Sequence, residues 1–548
     1  MNLARLLRTV RYLKPVQVYG RALQRLPERA PPPVGTVVPG QAAWPRWAAP
    51  ALRLPALRES GRFEVLGEAH DLDKVGWDDP AIAKLWRYNL HYFDDLVSHG
   101  WEDRTDEHRR LIVRWITENS PATGSGWEPY PMSRRIVNWI KWLCAGNNPV
   151  DGMLESLALQ TQWLTCRLEY HLLGNHLLTN GKALVFAGLY FAGETAMRWF
   201  ARGSAILNSE FDEQMLLDGG HFELSTLYHS LAVEDLLDLV NILEAADEKA
   251  GRDDAALAAR WRAKSAPALD WMLSMRHPDG EIAFFNDAAV GVAPPPGELA
   301  DYARRLSILP SQLDSPRWLV ESGYVRADKG PATLIADVAR IGPDYLLGHA
   351  HADTLSFELS LGDERFLVNG GTSVYGTGSE RVRQRGTAAH NTMTIDGQDS
   401  SEVWSGFRVG RRAYPRDVSV FEKDGAVAIA AAHDGYRWMA GKPLHKRTWL
   451  LVTGGMTVTD EVKSASRRHA VSAFRFHPDL SVIVETGGNS GRAEAPSGRT
   501  LHWSVQQGSA KLVDATWHPR FGASVHASQL LVTLAGGRGM VRLSWSPA

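Results

Sequence analysis

The chain has 548 residues, 44% of them hydrophobic and 22% charged, with a formal net charge of -2. That length exceeds one ordinary domain, and the balanced charge excludes a bulk basic field of the kind that recruits nucleic acid. Cys144 and Cys166 are too few for a disulfide framework, and no stretch approaches the ~20 apolar residues of a membrane span.

Met1 to Leu26 mixes Arg and Lys among short apolar runs. It lacks a continuous apolar core and a small-residue cleavage site, so it does not read as a secretory signal, and a cytoplasmic protein is expected. Residues 30–60 are rich in Pro and Ala (Pro31-Pro32-Pro33, Pro45, Pro50, Pro55) and read as an extended connector. From about 80 to 275, apolar positions recur at three- and four-residue spacing, predicting helices over 80–98, 105–119, 132–145, 152–173, 178–192, 224–246 and 253–275. Both cysteines fall in such patterns, which predicts two buried free thiols. The character changes near residue 320. Short β-type runs at 333–340, 355–361, 365–369, 391–395, 447–453, 469–476, 501–505 and 528–534 follow, divided by Gly, Asp and Asn turns. Helices first and strands afterwards predict a multidomain α+β chain. The expected organisation is an N-terminal extension and connector over 1–60, a helical domain over 61–318 and a β domain over 319–548.

Four constellations carry candidate chemistry. Gly174-Asn175-His176 interrupts two helical patterns, and Tyr228 lies 52 residues after His176 within Glu223-Leu224-Ser225-Thr226-Leu227-Tyr228. The structural alternative is a helix-capping Asn175 and a half-buried core Tyr228. Trp127-Glu128-Pro129-Tyr130-Pro131 precedes Arg134-Arg135. There Arg135 could grip an acidic sugar while Trp127 or Tyr130 stacks on its ring; a solvated Arg pair is the alternative. His91, in Trp86 to Tyr92, is a further candidate of this kind. Finally, Gly348-His349-Ala350-His351-Ala352-Asp353 runs into Leu355, Phe357 and Leu359. As one strand, this segment would point both histidines and the apolar residues the same way. Asn369 and His390 follow at 18 and 21 residues, so two histidines and an oxygen ligand could hold Zn²⁺.

Taken together these motifs resemble the heparinase II/III family of polysaccharide lyases and its alginate-lyase relatives, over about residues 80 to 480. The resemblance implies an incomplete (α/α) toroid followed by an antiparallel β-sandwich domain. It places the family's Asn-His pair on Asn175 and His176, its catalytic tyrosine on Tyr228 and its sandwich-domain tyrosine on Tyr375. The family's metal ligands, His, Asp and His, fall on His351, Asn369 and His390, with asparagine standing where the family has aspartate. His349 and His351 would line the β-domain wall of an interdomain cleft, and Glu223 is a further candidate for substrate binding.

Cleaving a 4-linked uronide by β-elimination requires the carboxylate to be neutralised, the C5 proton removed and the departing O4 protonated. Asn175 suits the first role as an amide donor to the developing aci-carboxylate, helped by Arg135. His176 and Tyr228 suit proton transfer. A tyrosine acting as base needs its pKa lowered from about 10 by a neighbouring cation, whereas as an acid it needs no such help. The expected activity is a carbon–oxygen lyase acting on an acidic polysaccharide or oligosaccharide. Two alternatives stay open: a glycoside hydrolase using Glu128, Glu223 or Asp235, and a non-catalytic binder of acidic glycans or assembly factor on the same fold.

Overall fold

A computed structural model describes residues 3–23, 33–35, 37–41, 43–59, 61–246, 254–312 and 314–546. The expected extension and connector therefore lie partly outside the described residues.

Helices occupy the N-terminal half: Lys84–Tyr92, Thr105–Glu118, Pro129–Cys144, Met153–Thr165, Gly174–Tyr190, Glu194–Gln214, Thr226–Ala245 and Asp254–Ser274, with Pro296–Arg305 closing the series. Pro129 opens its helix at the first turn, where a missing N–H costs nothing. Almost every residue of Pro129–Cys144 is buried, as in a helix surrounded by others. Trp115, Trp139, Leu184, Leu236 and Trp261 share one core.

The helix Glu194–Gln214 escapes the three-four rule because its inward face carries Ala196 and Gly203 among the larger residues. Small residues let it press on Gly174–Tyr190: a Cβ on Gly203 would stand 2.7 Å from the carbonyl oxygen of Gly181. Cys144 is buried as expected, but Cys166 is exposed, because the helix carrying it ends at Thr165.

The C-terminal half is built from antiparallel sheets. A five-stranded sheet runs 364–367, 357–361, 332–337, 324–329, 317–319, and an eight-stranded sheet is centred on Gly455–Lys463 and Arg538–Ser544 and includes Leu444–Val452. A four-stranded sheet includes Ala470–Arg475 and Val525–Thr533. Leu444–Val452 alternates buried and open residues, as a strand with one covered face must. Phe357 and Leu359 from the first sheet, Trp449 and Trp503 from the second, and Phe474 and Leu530 from the third share one core, so the sheets pack face to face.

The N-terminal segment that carries the helices Leu3–Val10 and Pro15–Leu23 touches both halves. Arg5 and Arg8 bind Glu402 of the β half at 3.0 and 2.9 Å, while Lys14 binds Glu213 of the helical half at 2.5 Å. Among the described residues, no helix is long and apolar enough to cross a membrane.

Candidate active site

Two helix starts bring the site together. Leu173 and Gly174 both take left-handed backbone angles (φ +63° and +56°) and turn the chain into the helix that carries Asn175 and His176 in its first turn. The positive φ of Gly174 favours glycine here, and a Cβ would also meet Leu346 Cδ2 of the β half at 2.4 Å and Glu223 Oε1 at 3.2 Å. At the second start, Ser225 caps the helix by accepting the Tyr228 backbone N–H at 3.2 Å. Its own hydroxyl donates to the Asp287 carbonyl oxygen at 2.5 Å.

The phenols of Tyr228 and Tyr375 meet at 2.9 Å. The Tyr228 ring also stacks on His349, with centroids 3.8 Å apart and planes 28° apart. Asp287 joins both histidines: His349 Nδ1 lies 2.9 Å from Oδ2 and His351 Nε2 lies 2.8 Å from Oδ1. Arg381 grips the same carboxylate with both Nη atoms, one of them at 2.7 Å. Burial alone would raise the Asp287 carboxyl. The Arg381 guanidinium and the hydrogen bonds from His349 and His351 hold it well below the usual carboxylate range.

Across the crevice, His176 Nδ1 sits 3.0 Å from Glu169 Oε1 and its ring packs on Tyr130 at 4.7 Å. Burial works against a charge on His176, but the Glu169 carboxylate raises its pKa overall. Glu223 is buried with Oε2 3.8 Å from His349 Nε2, and desolvation raises its carboxyl. Tyr130, Arg134, Asn175, Tyr228 and Asp235 line a narrow crevice. A cavity of about 490 Å³ adjoins on the His176 side, lined in part by Trp127, Glu128 and Glu169. One of about 450 Å³ lies on the other side, where Phe521 packs edge-on to Tyr375 at 4.9 Å.

Asn175, Tyr130 and Tyr228 line one crevice; His349 and Tyr375 pack on Tyr228, Glu223 stands 3.8 Å from His349, and His176, at 34% side-chain exposure, lies against Tyr130 on the neighbouring cavity. Other expectations need correction. Arg135 is fully buried: it donates to Gly126 O at 2.8 Å and Gln160 Oε1 at 2.9 Å and lies 3.7 Å over the Trp115 ring. Its neighbour Arg134 faces the crevice instead, bound to Asp94 at 2.9 Å. His91 is a core residue that accepts the Trp115 indole N–H at 3.0 Å and is pushed down to about 3 by burial. Trp127 is buried against Trp115 with only an edge on the cavity.

The segment 349–356 is not a strand; pairing begins at Phe357. Leu355 has φ +66°, which breaks the alternation, and the His351 N–H bonds the side chain of Asn286 at 2.9 Å. His351 is fully buried behind Asp287 and pushed down to about 4 by burial, so it supports the site without facing substrate. Burial, Tyr375 and Asp287 push Tyr228 well above its ordinary value, which suits an acid and not a base.

Two of the three residues of the expected zinc set come together. His351 Nδ1 pairs with His390 Nε2 at 3.2 Å, and its other nitrogen is taken by Asp287. The Asn369 amide accepts the Asn391 N–H at 3.0 Å and donates to Ser356 at 3.3 Å. Among the described residues, no cluster of three or more His, Cys, Asp or Glu side chains is arranged for a metal ion.

Asp287, Arg381, Glu169 and Arg134 are the residues that sequence reasoning missed. The one local signal for Asp287 is an Asn286-Asp287 pair set inside the apolar run Ile282 to Val290.

Residues 125–302 match the family profile of the heparinase II/III N-terminus, and residues 311–546 match that of the heparinase II/III-like C-terminal region. The chain belongs to the heparinase II/III family. A heparin-sulfate lyase of Bacteroides stercoris is 24% identical over 398 residues, covering 59% of each protein. Matches to three curated heparin-sulfate lyases span 59%, 39% and 27% of those relatives, so the chain spans less than two thirds of their length. Among solved structures, a mutant heparan sulfate lyase of Pedobacter heparinus aligns with TM-score 0.62 at 17% identity, covering 89% of this chain and 82% of that one. A heparinase III aligns with TM-score 0.68 at 17% identity, covering 88% and 80%. The heparinase II/III fold, helical half first and antiparallel β half second, is thus the fold of this chain.

Proposed function

We propose that this protein is a polysaccharide lyase that cleaves a uronic-acid-containing polysaccharide or oligosaccharide by β-elimination, leaving an unsaturated uronate end. One observation carries the reading. A phenol pair (Tyr228 and Tyr375) and a carboxylate-held imidazole (His349) meet on one side of a crevice that Asn175 and Arg134 also line. In this reading Asn175 donates to the substrate carboxylate as charge moves onto it, and Arg134 lowers the cost of placing that anion here. His349, with Nδ1 on Asp287, presents Nε2 to the C5 proton. Tyr228 protonates the departing O4, and Tyr375 re-protonates it through their shared hydrogen bond. No step is routed through a metal.

The finer architecture belongs to the same proposal: an incomplete (α/α) toroid over 61–318 and a β-sandwich over 319–548, with the cleft between them. Hydrolysis would need two carboxylates across the bond, ~5–9.5 Å apart. Of the three candidates, Glu128 binds Lys84 at 2.9 Å and Asp235 binds Lys182 at 2.6 Å, which leaves Glu223 without a second free carboxylate from that set. The test is incubation with a panel of uronic-acid polymers, read by ultraviolet absorbance of the unsaturated product and by product mass. Products carrying an added water without new absorbance would replace this reading with hydrolysis.

A further inference from the structure

A cavity of about 990 Å³ takes no part in the chemistry above, and the helices fix where it lies. Pro129–Cys144 sets Tyr130 and Arg134 on the crevice but Trp142 and Cys144 on this cavity. Gly174–Tyr190 sets Asn175 on the crevice and Tyr190 on the cavity. At about 1.5 Å of rise per residue, the two sites stand about 20 Å apart, at opposite ends of the same helices. Buried charges fill the core between them. Lys182 binds Asp235 of the crevice at 2.6 Å and Asp238 at 2.5 Å, and Asp238 binds Lys141, which lines the second cavity.

The Pro- and Ala-rich connector supplies another wall, with Trp44 and Trp47 on the cavity. Residues 43–52 form no strand or helix, so hydrogen bonds from the helical core hold this wall in place. The Asn241 side chain accepts the Ala48 N–H at 3.0 Å and donates to the Ala48 carbonyl oxygen at 2.8 Å. Arg305 donates to the carbonyl oxygens of Ala49 at 2.8 Å and Pro50 at 3.1 Å. Trp101 joins the lining, and both it and Trp47 are half-buried. The indole N–H groups of Trp47 and Trp142 are buried with no acceptor among the described residues, a cost that persists until an oxygen reaches them.

Between the aromatic rings stand Asn147 and Asn148 and the carboxylates Glu102 and Glu298. Flat apolar faces beside groups that donate and accept suit a sugar ring, whose C–H face covers an indole while its hydroxyls meet amides and carboxylates. An alkyl ligand would strip water from those polar groups and return no hydrogen bond. An acidic chain meets two carboxylates, while the cations in the lining are already engaged, Lys141 by Asp238 and Arg305 by the two carbonyl oxygens. We propose that this cavity is a second carbohydrate site, which binds a short uncharged oligosaccharide. It does not rest on the lyase reading.

Calorimetry on the full chain tests it with maltotriose, cellotriose, xylotriose and triacetylchitotriose as uncharged probes and trigalacturonate as the acidic rival. At least one uncharged probe should bind with a dissociation constant of about 1 mM or tighter. Trp47→Ala should weaken that binding about tenfold or more, Asn148→Ala several-fold, and Arg134→Gln in the crevice not at all. Asn148 is exposed, so its variant carries the test if Trp47→Ala fails to fold. No binding by any uncharged probe overturns the proposal. Binding that ignores both cavity variants, or that follows Arg134→Gln instead, places the sugar elsewhere and also overturns it. Trigalacturonate binding that depends on Trp47 and matches the best uncharged probe overturns the uncharged class. Each of these results leaves the lyase reading untouched, since unsaturated product is measured at the other site.

Discussion

The phenol oxygens of Tyr228 and Tyr375 lie 2.9 Å apart, one carried by the helical half and the other by the β half. Neither half alone can make this pair, so the proposed acid is a property of their packing. Tyr228→Phe removes the proton donor while keeping the ring that stacks on His349. Turnover is expected to fall by roughly 10²–10⁴ with the melting temperature little changed, because one positioned transfer group is worth about that much. Tyr375→Phe should cost less, roughly tenfold, since its hydroxyl only supplies the donor. Rates from ultraviolet absorbance and thermal melts on the same preparations check both; near-wild-type turnover in Tyr228→Phe would remove it from the mechanism.

Asp287 ties the site together with Nδ1 of His349 at 2.9 Å, Nε2 of His351 at 2.8 Å and the Arg381 guanidinium on one carboxylate. It also donates its own N–H to the His349 carbonyl oxygen at 2.9 Å. Asp287→Asn leaves Arg381 buried without its counter-charge, at a cost of about 3–5 kcal/mol. A double variant, Asp287→Asn with Arg381→Met, should regain much of that stability because no lone buried charge remains. It should not regain turnover, since His349 still lacks the acceptor that fixes its ring. Denaturant unfolding and initial rates, measured side by side, separate the two effects.

Much of this was legible in the residues and some of it could not be. The change from three-four spacing to alternation marks the passage from helices to sheets near residue 320, where the first strand of the five-stranded sheet, Arg317–Leu319, begins. Asn175, His176 and Tyr228 were legible because they stand at helix starts, where glycine and a capping serine leave a visible trace. The alternation through His349 to Leu359 misled, because it continues across Leu355, whose positive φ ends any strand there. Asp287 could not be read out, since its meaning lies in partners from residues 349, 351 and 381, all beyond the reach of a local pattern.

Stability should rise with pH between about 4.5 and 6.5. Burial depresses four imidazoles, His91 and His221 to about 3 and His229 and His351 to about 4. In the unfolded chain each takes up a proton near 6.5, so the unfolded state binds more protons as pH falls through this window, and stability is lost. Raised buried carboxyls act in the opposite sense. Asp353 is raised to about 6 and Glu358 to about 7 by desolvation, and they keep protons that the unfolded chain releases. His277, His390 and His433, depressed further still, add to these four imidazoles, while Asp337 and Glu223 join the raised carboxyls; the depressed imidazoles are the larger group, so the slope is positive near pH 5.5. Urea unfolding at half-unit pH steps measures that slope, and a flat or falling curve would contradict the assignment of these histidines as neutral and buried.

Arg134 and Arg135 are adjacent on one helix, and a turn of about 100° between neighbours sends them to different places. Arg134 lines the crevice, bound to Asp94 at 2.9 Å, whereas Arg135 is sealed over Trp115 with its donors on Gly126, His91 and Gln160. Arg134→Gln should raise KM about tenfold or more with a smaller change in kcat, as expected when a charge that binds the ground state is removed. Arg135→Gln should instead lower stability by about 2–4 kcal/mol, because it strands buried acceptors and empties the space over the indole, while folded protein keeps its KM. Steady-state kinetics and unfolding curves on both variants give opposite patterns if this assignment holds. The reverse pattern, with KM moved only by Arg135→Gln, would return the substrate contact to the residue now placed in the core.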